Sequence, residues 1–361
     1  MEFTTSPLFE RVERARRRKP RVIDEFITLA HGSGGKAMHE LVEGLFLEYF
    51  RNPLLEKLED QAVFEIAGDC RASRLAFTTD SYVVTPLFFP GGDIGRLAVC
   101  GAVNDLAMSG ARPLYLSAGF IIEEGFPIAD LKRVLQSMRD AAEEAGARIV
   151  TGDTKVVQRG GADKLFINTA GIGVIEHDAR ISAANVRPGD KIILSGAMGD
   201  HGATIMIARG ELGLETNLCS DVAPLWSLVE TMLDAPTGIH AMRDPTRGGV
   251  ATTLNEIALA SEVCLIIDER ALPVRDEVKG ACEILGLDPL YIGNEGKLVA
   301  MAAAEAADRI VERMRQHPLG REARVIGEAQ AEPMGIVVLK TGFGGTRIVD
   351  MLAGEQLPRI C

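Results

Sequence analysis

Four aspartates stand where a chain of this kind can do chemistry. Asp80 closes an apolar run and is followed by Ser81, and Asn104-Asp105 lies inside a helical pattern. Gly152-Asp153-Thr154-Lys155 closes a second apolar run, and Asp244-Pro245-Thr246-Arg247-Gly248-Gly249 leads into a helix. Carboxylates are hard oxygen donors suited to Mg²⁺, which takes one or two of them and fills its shell with phosphate oxygens and water. Taken singly, each aspartate reads as a cap or turn residue. Gathered, they would make a site for a metal and a triphosphate, and spacing alone does not gather them. Lys155 and Glu295, the latter in Gly293-Asn294-Glu295-Gly296-Lys297, are the candidates for moving protons. Burial or a neighbouring charge can bring either group toward neutrality.

A glycine-rich run, His31-Gly32-Ser33-Gly34-Gly35-Lys36, precedes a helical pattern. Free N–H groups and the lysine could meet an anion there. The run departs from P-loop spacing, which needs glycine at position 30 and Ser or Thr at 37, since both positions are alanine. His201 follows Gly199-Asp200. With no second His or Cys at ligand spacing, it reads as a hydrogen-bonding residue at a helix start rather than a metal ligand.

The elements that must position these groups are legible as apolar periodicity. Helical spacing runs over 36–50, 94–109, 127–145, 200–209, 224–234, 248–261, 274–285 and 304–316. Strand-like runs are Leu75–Thr79, Leu114–Ile122, Arg148–Thr151, Leu165–Ile175, Lys191–Leu194, 263–267, 297–302 and Gly335–Lys340. A turn at Arg187-Pro188-Gly189-Asp190 divides them. The reading is two mixed α/β domains at 28–180 and 181–338, after an N-terminal extension, 1–27, and before a mobile tail, 339–361.

The composition, 47% hydrophobic and 25% charged, is that of a folded globular chain. Its net charge of −12 argues against nucleic acid or an anionic membrane as partner, though not against a nucleotide carried with Mg²⁺. The basic run Arg16-Arg17-Arg18-Lys19 reads as a solvated terminus, and no stretch has the length of a membrane helix. Six scattered cysteines, without a CxxC pair, fit reduced thiols in the cytoplasm. Cys100 and Cys264 are expected to pack as small hydrophobes. Cys361, the last residue, is least expected to do so.

Taken in order, the His31–Lys36 run, Thr79-Asp80-Ser81, Asn104-Asp105-Leu106-Ala107-Met108, Gly152–Lys155, Gly199-Asp200-His201-Gly202, Asp244–Gly249, Asn294-Glu295-Gly296-Lys297 and the final Leu357-Pro358-Arg359-Ile360-Cys361 span almost the whole chain. The set resembles the HypE family, the carbamoyl dehydratases of nickel–iron hydrogenase maturation, within the ATP-binding superfamily of aminoimidazole ribonucleotide (AIR) synthetase and selenophosphate synthetase. The terminal Pro-Arg-Ile-Cys is the family's specific mark; Thr79-Asp80 and Asn104-Asp105 mark only the superfamily.

The resemblance implies a two-domain AIR-synthetase-like fold with mixed sheets, an N-terminal sheet that joins that of a second subunit in a homodimer, and a C-terminal α/β sandwich. It implies ATP and Mg²⁺ as cofactors. Lys36, Asp93, Asn104, Gly152, Asp153 and Thr154 would contact the nucleotide. Asp80, Asp105 and Asp244 would hold Mg²⁺, and Lys155 and Glu295 would handle protons in roles that remain interchangeable. Cys361 would carry a carbamoyl group received from the carbamoyltransferase HypF. ATP-driven dehydration would turn it into a thiocyanate, and the cyano group would pass to iron on the HypC–HypD complex.

The α-carboxylate of Cys361 should raise its thiol pKa unless Arg359 or a partner offsets it. About twenty residues of tail could reach roughly 66–72 Å when extended. Two rivals remain. One is a superfamily enzyme acting on a free small molecule, such as selenophosphate synthetase or thiamine-monophosphate kinase, which would not need Cys361. The other is a non-catalytic ATP-binding scaffold, which would not need Lys155 or Glu295.

Overall fold

The computed structural model describes residues 26–66, 73–210, 213–214, 216–233, 238–352, 354 and 359–361. The basic run at 16–19, Cys70 and Leu357-Pro358 lie outside the described residues.

The first half is built on a five-stranded sheet in the order β1-β2-β7-β5-β6. Its strands are β1 (Ala62–Ile66), β2 (Ser73–Tyr82), β5 (Arg112–Glu123), β6 (Arg148–Val157) and β7 (Leu165–Ile175). Only β5 and β6 are parallel, and the amphipathic helix Ile128–Glu144 makes the crossover between them. A small hairpin of β3 (Phe88–Phe89) and β4 (Gly92–Asp93) leads into the helix Ile94–Met108. That helix is apolar nearly all round and almost wholly buried, as a helix with no solvated face must be. It lies against β2 and β7, and its last turn, Ala107 and Met108, packs among side chains of the second half.

The second half is a seven-stranded sheet in the order β14-β13-β10-β12-β8-β11-β9. Its strands are β8 (Lys191–Leu194), β9 (Ile239–Arg243), β10 (Cys264–Asp268), β11 (Val299–Ala302), β12 (Arg324–Gln330), β13 (Ile336–Lys340) and β14 (Thr346–Val349). The helices Gly249–Ser261 and Ala304–Gln316 bury their apolar stripes in its two cores. Cys100 and Cys264 are buried in the apolar cores of the two halves.

Three expectations change. Strand β6 continues through Gly152-Asp153-Thr154-Lys155 rather than ending there. It is an open edge, where polar residues cost little. The segment after 339, expected as tail, begins as sheet, because β14 pairs with β13 from Val337↔Val349 to Lys340↔Thr346. The helix at 36–50 contains a single π-helical stretch, Val42–Phe46.

The seat of Ile94–Met108 against β2 depends on Gly101, where an added Cβ would fall 2.0 Å from the Tyr82 hydroxyl and 2.9 Å from its ring. Gly101→Ala should therefore lower stability by about 1–3 kcal/mol. Gly280→Ala, in the helix Asp276–Leu285 with nothing within 4 Å of the new methyl, should raise it by about 0.5–1 kcal/mol. Denaturant melts of the two variants check the opposite signs.

Candidate active site

The sheets deliver carboxylates to one buried place. Asp80 lies on the helix-covered face of β2, opposite Thr169 of β7. Asp105 is on the helix beneath, where Thr78 donates to its Oδ2 at 2.6 Å. Asp244 follows β9 directly. Burial and like-charge repulsion lift the proton affinities of Asp105 and Asp244. The Asp105 carboxyl is pushed well above its ordinary range by burial and then by Asp244, Asp80 and Asp60. Burial, opposed by Arg243 and reinforced by Asp80, pushes Asp244 up to about 6.

Asp60, absent from the sequence expectations, joins them. Burial and Asp244 raise its carboxyl, against the pull of Arg243. Its Oδ2 is buried without a hydrogen-bond partner among the described residues. A signal was present in its position just before β1, but no glycine or helix start drew attention to it.

Glu295 faces the same cluster. Burial, Asp244, Asp221 and Asp80 raise its carboxyl well above the ordinary range, while Arg247 opposes them. Its Oε1 has no hydrogen-bond partner among the described residues. Its backbone is fixed instead: its N–H donates to Asp221 Oδ1 at 3.1 Å, and its carbonyl accepts from the Asn104 amide at 3.2 Å.

Cys361 lies here too. Its thiol, with Arg247, Gly248, Ser81, Val83 and His31, lines a cavity of about 370 Å³. Burial pushes the thiol up to about 12, Arg247 opposes the shift, and Glu295, Asp80 and Asp244 add to it. The expected cause was the α-carboxylate with Arg359 as counter-charge. Burial dominates instead, the cation is Arg247, and Arg359 is ion-paired to Asp163. Arg247 also reaches Asp80 Oδ1 at 3.6 Å and donates to the Gly32 carbonyl at 3.3 Å.

Other expected site residues are placed differently. Asn104 is 1% exposed and its amide is spent inside the chain: it donates to Ala223 and Glu295 carbonyls and accepts from the Leu225 N–H at 2.8 Å. It positions Glu295, and with both N–H donors committed it has none left for a nucleotide. Asp93 is the N-cap of Ile94–Met108, accepting from the Gly95 and Arg96 N–H groups at 2.7 and 3.0 Å. Lys36 points outward, its side chain 69% exposed, toward Glu40. Its own N–H donates to the Leu352 carbonyl at 2.9 Å, so the returning chain uses part of the glycine-rich loop.

Gly152 is required by packing, since a Cβ there would lie 2.2 Å from the Ala118 carbonyl oxygen. Asp153 and Lys155 form an exposed ion pair at 2.8 Å, and Thr154 is exposed beside them. They are not beside Glu295. Asp80, Thr169, Ala118 and Gly152 form one row across four strands, which puts β6 about 14 Å from β2. Alternation along β6 then turns Asp153 and Lys155 to the opposite face.

Among the described residues, no three acidic, His or Cys side chains stand close enough to enclose a metal ion unaided. The donor set nonetheless fits Mg²⁺, because the oxygens are hard, the like charges repel, and Asp60 Oδ2 lacks a partner.

Comparison with known proteins agrees with this arrangement of two halves. Residues 58–175 match the N-terminal domain of AIR synthase related proteins, and 187–340 match their C-terminal domain. The chain is 54% identical to the carbamoyl dehydratase HypE of Azotobacter vinelandii over 335 residues, 93% of this chain and 97% of that one. The crystal structure of a HypE–HypF complex superposes with a TM-score of 0.81 at 48% identity, covering 86% of this chain and 99% of that one. HypE crystallised with ATP superposes at 0.77 with 51% identity, covering 93% and 100%. Kinship at that level, over nearly the full length of both chains, goes beyond a shared superfamily fold: the chain belongs to the HypE carbamoyl dehydratase family.

Proposed function

We propose that this chain carries a carbamoyl group on Cys361 as a thiocarboxamide and uses ATP to dehydrate it to a thiocyanate, the source of cyanide for the iron of nickel–iron hydrogenases. The observation that carries this reading is the Cys361 thiol docked beside Arg247, among Asp80, Asp244 and Glu295. A superfamily enzyme working on a free small molecule has no use for such a thiol.

The amide oxygen of the thiocarboxamide attacks the γ-phosphorus, the bond to ADP breaks, and the oxygen becomes part of a phosphate leaving group. Loss of both nitrogen protons and departure of phosphate leave S–C≡N. Phosphoryl transfer needs position and charge stabilisation more than covalent help. Arg247 is the cation nearest the carrier and would steady negative charge on the transferred group. Asp60, Asp80, Asp105 and Asp244 would hold Mg²⁺, which supplies charge neutralisation to the phosphates. Glu295, its carboxyl raised toward neutrality by burial and facing the thiol, is the base for the nitrogen protons.

Docking and loading make opposite demands. Accepting a carbamoyl group needs a thiolate, and the buried thiol resists ionisation. Loading by a HypF-type carbamoyltransferase therefore takes place with the chain end withdrawn, and dehydration with it inserted. Delivery to a HypC–HypD-type complex requires withdrawal again. Six scattered cysteines and the lack, among the described residues, of any helix able to cross a membrane accord with work in the cytoplasm.

Lys155 takes part through a second copy. The outer face of the first sheet carries Phe77, Ile172 and Tyr115 in one exposed row, and β6 offers Val150 and Val156 along an open edge. Exposed apolar faces and free edges mark interaction surfaces. A homodimer closing on this face would place Asp153 and Lys155 at the junction between chains rather than beside their own Glu295.

Three outcomes test these assignments. Incubation with the carbamoyltransferase, carbamoyl phosphate and ATP should give a mass adduct on Cys361 that loses one water only when ATP is present. An adduct on another residue, or water loss without ATP, contradicts the carrier role. If Lys155 acts across the dimer, mixing inactive Lys155→Ala and Glu295→Ala proteins should restore about a quarter of wild-type turnover, because half the random dimers are mixed and each holds one intact site. Were both groups used within one chain, no activity would return.

Asp105→Asn should abolish ATP-dependent dehydration yet raise the melting temperature at pH 8, by roughly 2–4 °C for each kcal/mol of repulsion relieved. That gap should narrow as the pH falls through about 6, where Asp244 takes up a proton and its repulsion of Asp105 in the wild-type protein is lost.

A further inference from the structure

The final residues are held by backbone contacts that the reaction chemistry does not call for. His201, in the first turn of the helix Asp200–Ala208, is fully buried, and its Nε2 lies 2.7 Å from the Ile360 carbonyl oxygen. A carbonyl can only accept, so Nε2 carries the proton. Burial holds the imidazole neutral. Its Nδ1 therefore accepts, from the Ser220 hydroxyl at 2.8 Å, and Ser220 Oγ accepts in turn from the Val222 N–H at 3.1 Å. This relay fixes the tautomer, and the Phe89 ring, edge-on at 5.6 Å, fixes the plane.

One residue earlier, the Arg359 carbonyl takes two donors: the Arg209 guanidinium at 3.0 Å and the Thr85 N–H at 3.2 Å. Arg209 also donates to the Thr85 carbonyl at 3.0 Å, so strand-end and chain-end are tied by the same side chain. The side chains are read as well. Arg359 pairs with Asp163, and Ile360 is 4% exposed in the core of the first half. Gly293 leaves the room, since a Cβ there would come 2.8 Å from Ile360 Cδ1 and 3.0 Å from the Thr246 carbonyl oxygen.

We propose that His201 and Arg209 are positioning residues forming a latch, which grips the backbone of Ile360 and Arg359 and thereby sets where the Cys361 thiol stands. They act through the two residues before the carrier, whose carbonyls they hold. What the latch serves rests on the carrier reading of Cys361, whereas the existence of the latch does not.

The two are separated by alkylating full-length protein with iodoacetamide, without nucleotide or partner, and mapping modified peptides, with the exposed Cys219 as reference. Alkylation of a docked thiol follows the population of the open state. Wild-type Cys361 should react more slowly than Cys219. His201→Ala should speed reaction at Cys361 by at least roughly fivefold, the shift expected on losing one buried hydrogen bond, with Cys219 unchanged. His201→Gln, whose Nε2–H can reach the same carbonyl, should keep most of the protection. Arg209→Gln should release the end by its own route, and decides the matter if His201→Ala does not fold.

With carbamoyltransferase, carbamoyl phosphate and ATP, His201→Ala should accept the carbamoyl group at least as fast as wild type but dehydrate it slowly, lowering kcat while leaving KM for ATP unchanged. Equal Cys361 alkylation in wild type, His201→Ala and Arg209→Gln, at matched melting temperatures, overturns the latch. A latch that opens as expected in a protein whose wild-type form never dehydrates the adduct leaves the latch standing and sinks the carrier reading.

Discussion

Repulsion among buried carboxylates is the constraint around which this protein is arranged. Asp60, Asp105, Asp244 and Glu295 are each lifted out of the ordinary carboxylate range by burial and by one another. A fold does not gather like charges in its interior for stability, since every one of them costs free energy there. Such a cluster persists because both halves of the chain are locked around it. Asp80 and Asp105 come from the first sheet and its buried helix, whereas Asp244 and Glu295 come from loops of the second. Asn104 joins the two by holding the Glu295 and Ala223 backbones from the first-half helix. In the function proposed here a cation would relieve that repulsion, and the same relief would let a nucleotide's phosphates approach.

The thiol feels the same field. Half-buried among negative charges, the Cys361 thiol is held back from ionising, with Arg247 the opposing influence. That environment is hostile to a thiolate and suitable for a neutral thiocarboxamide. A carboxylate of raised proton affinity that can take protons, a cation beside the carrier thiol and an uncharged cargo would form one consistent set. Arg247 ties the set together, because it also reaches Asp80 and the glycine-rich loop.

Much of this was legible in the sequence where apolar periodicity was strong. The helix Ile94–Met108 and the strands β2, β5 and β7 stand close to where their patterns put them. Strand β12 escaped notice because a register shift between Val325 and Gly327 breaks its alternation. Strand β6 looked too short because its exposed edge tolerates the polar Gly152-Asp153-Thr154-Lys155. At the site, Asp80, Asp244, Glu295 and Cys361 share one electrostatic neighbourhood, and Asp105 is coupled to Asp80 and Asp244, a gathering that spacing alone did not give. Asp60 and the service of Arg247 were hidden, because both depend on contacts far apart in sequence. Asn104 and Asp93 show what sequence does not display: the Asn104 amide spans the two halves, and Asp93 Oδ1 caps the helix Ile94–Met108.

The buried helix Ile94–Met108 has a mechanical consequence. Its first turns pack in the core of the first half and its last turn in the core of the second, so it welds the two together. Many enzymes expel water by swinging one domain over another. A welded molecule lacks that hinge and must be stoppered in some other way. Here the chain end occupies the first core itself, with Ile360 buried there, so that the space a moving domain would close is narrowed by the peptide that carries the cargo.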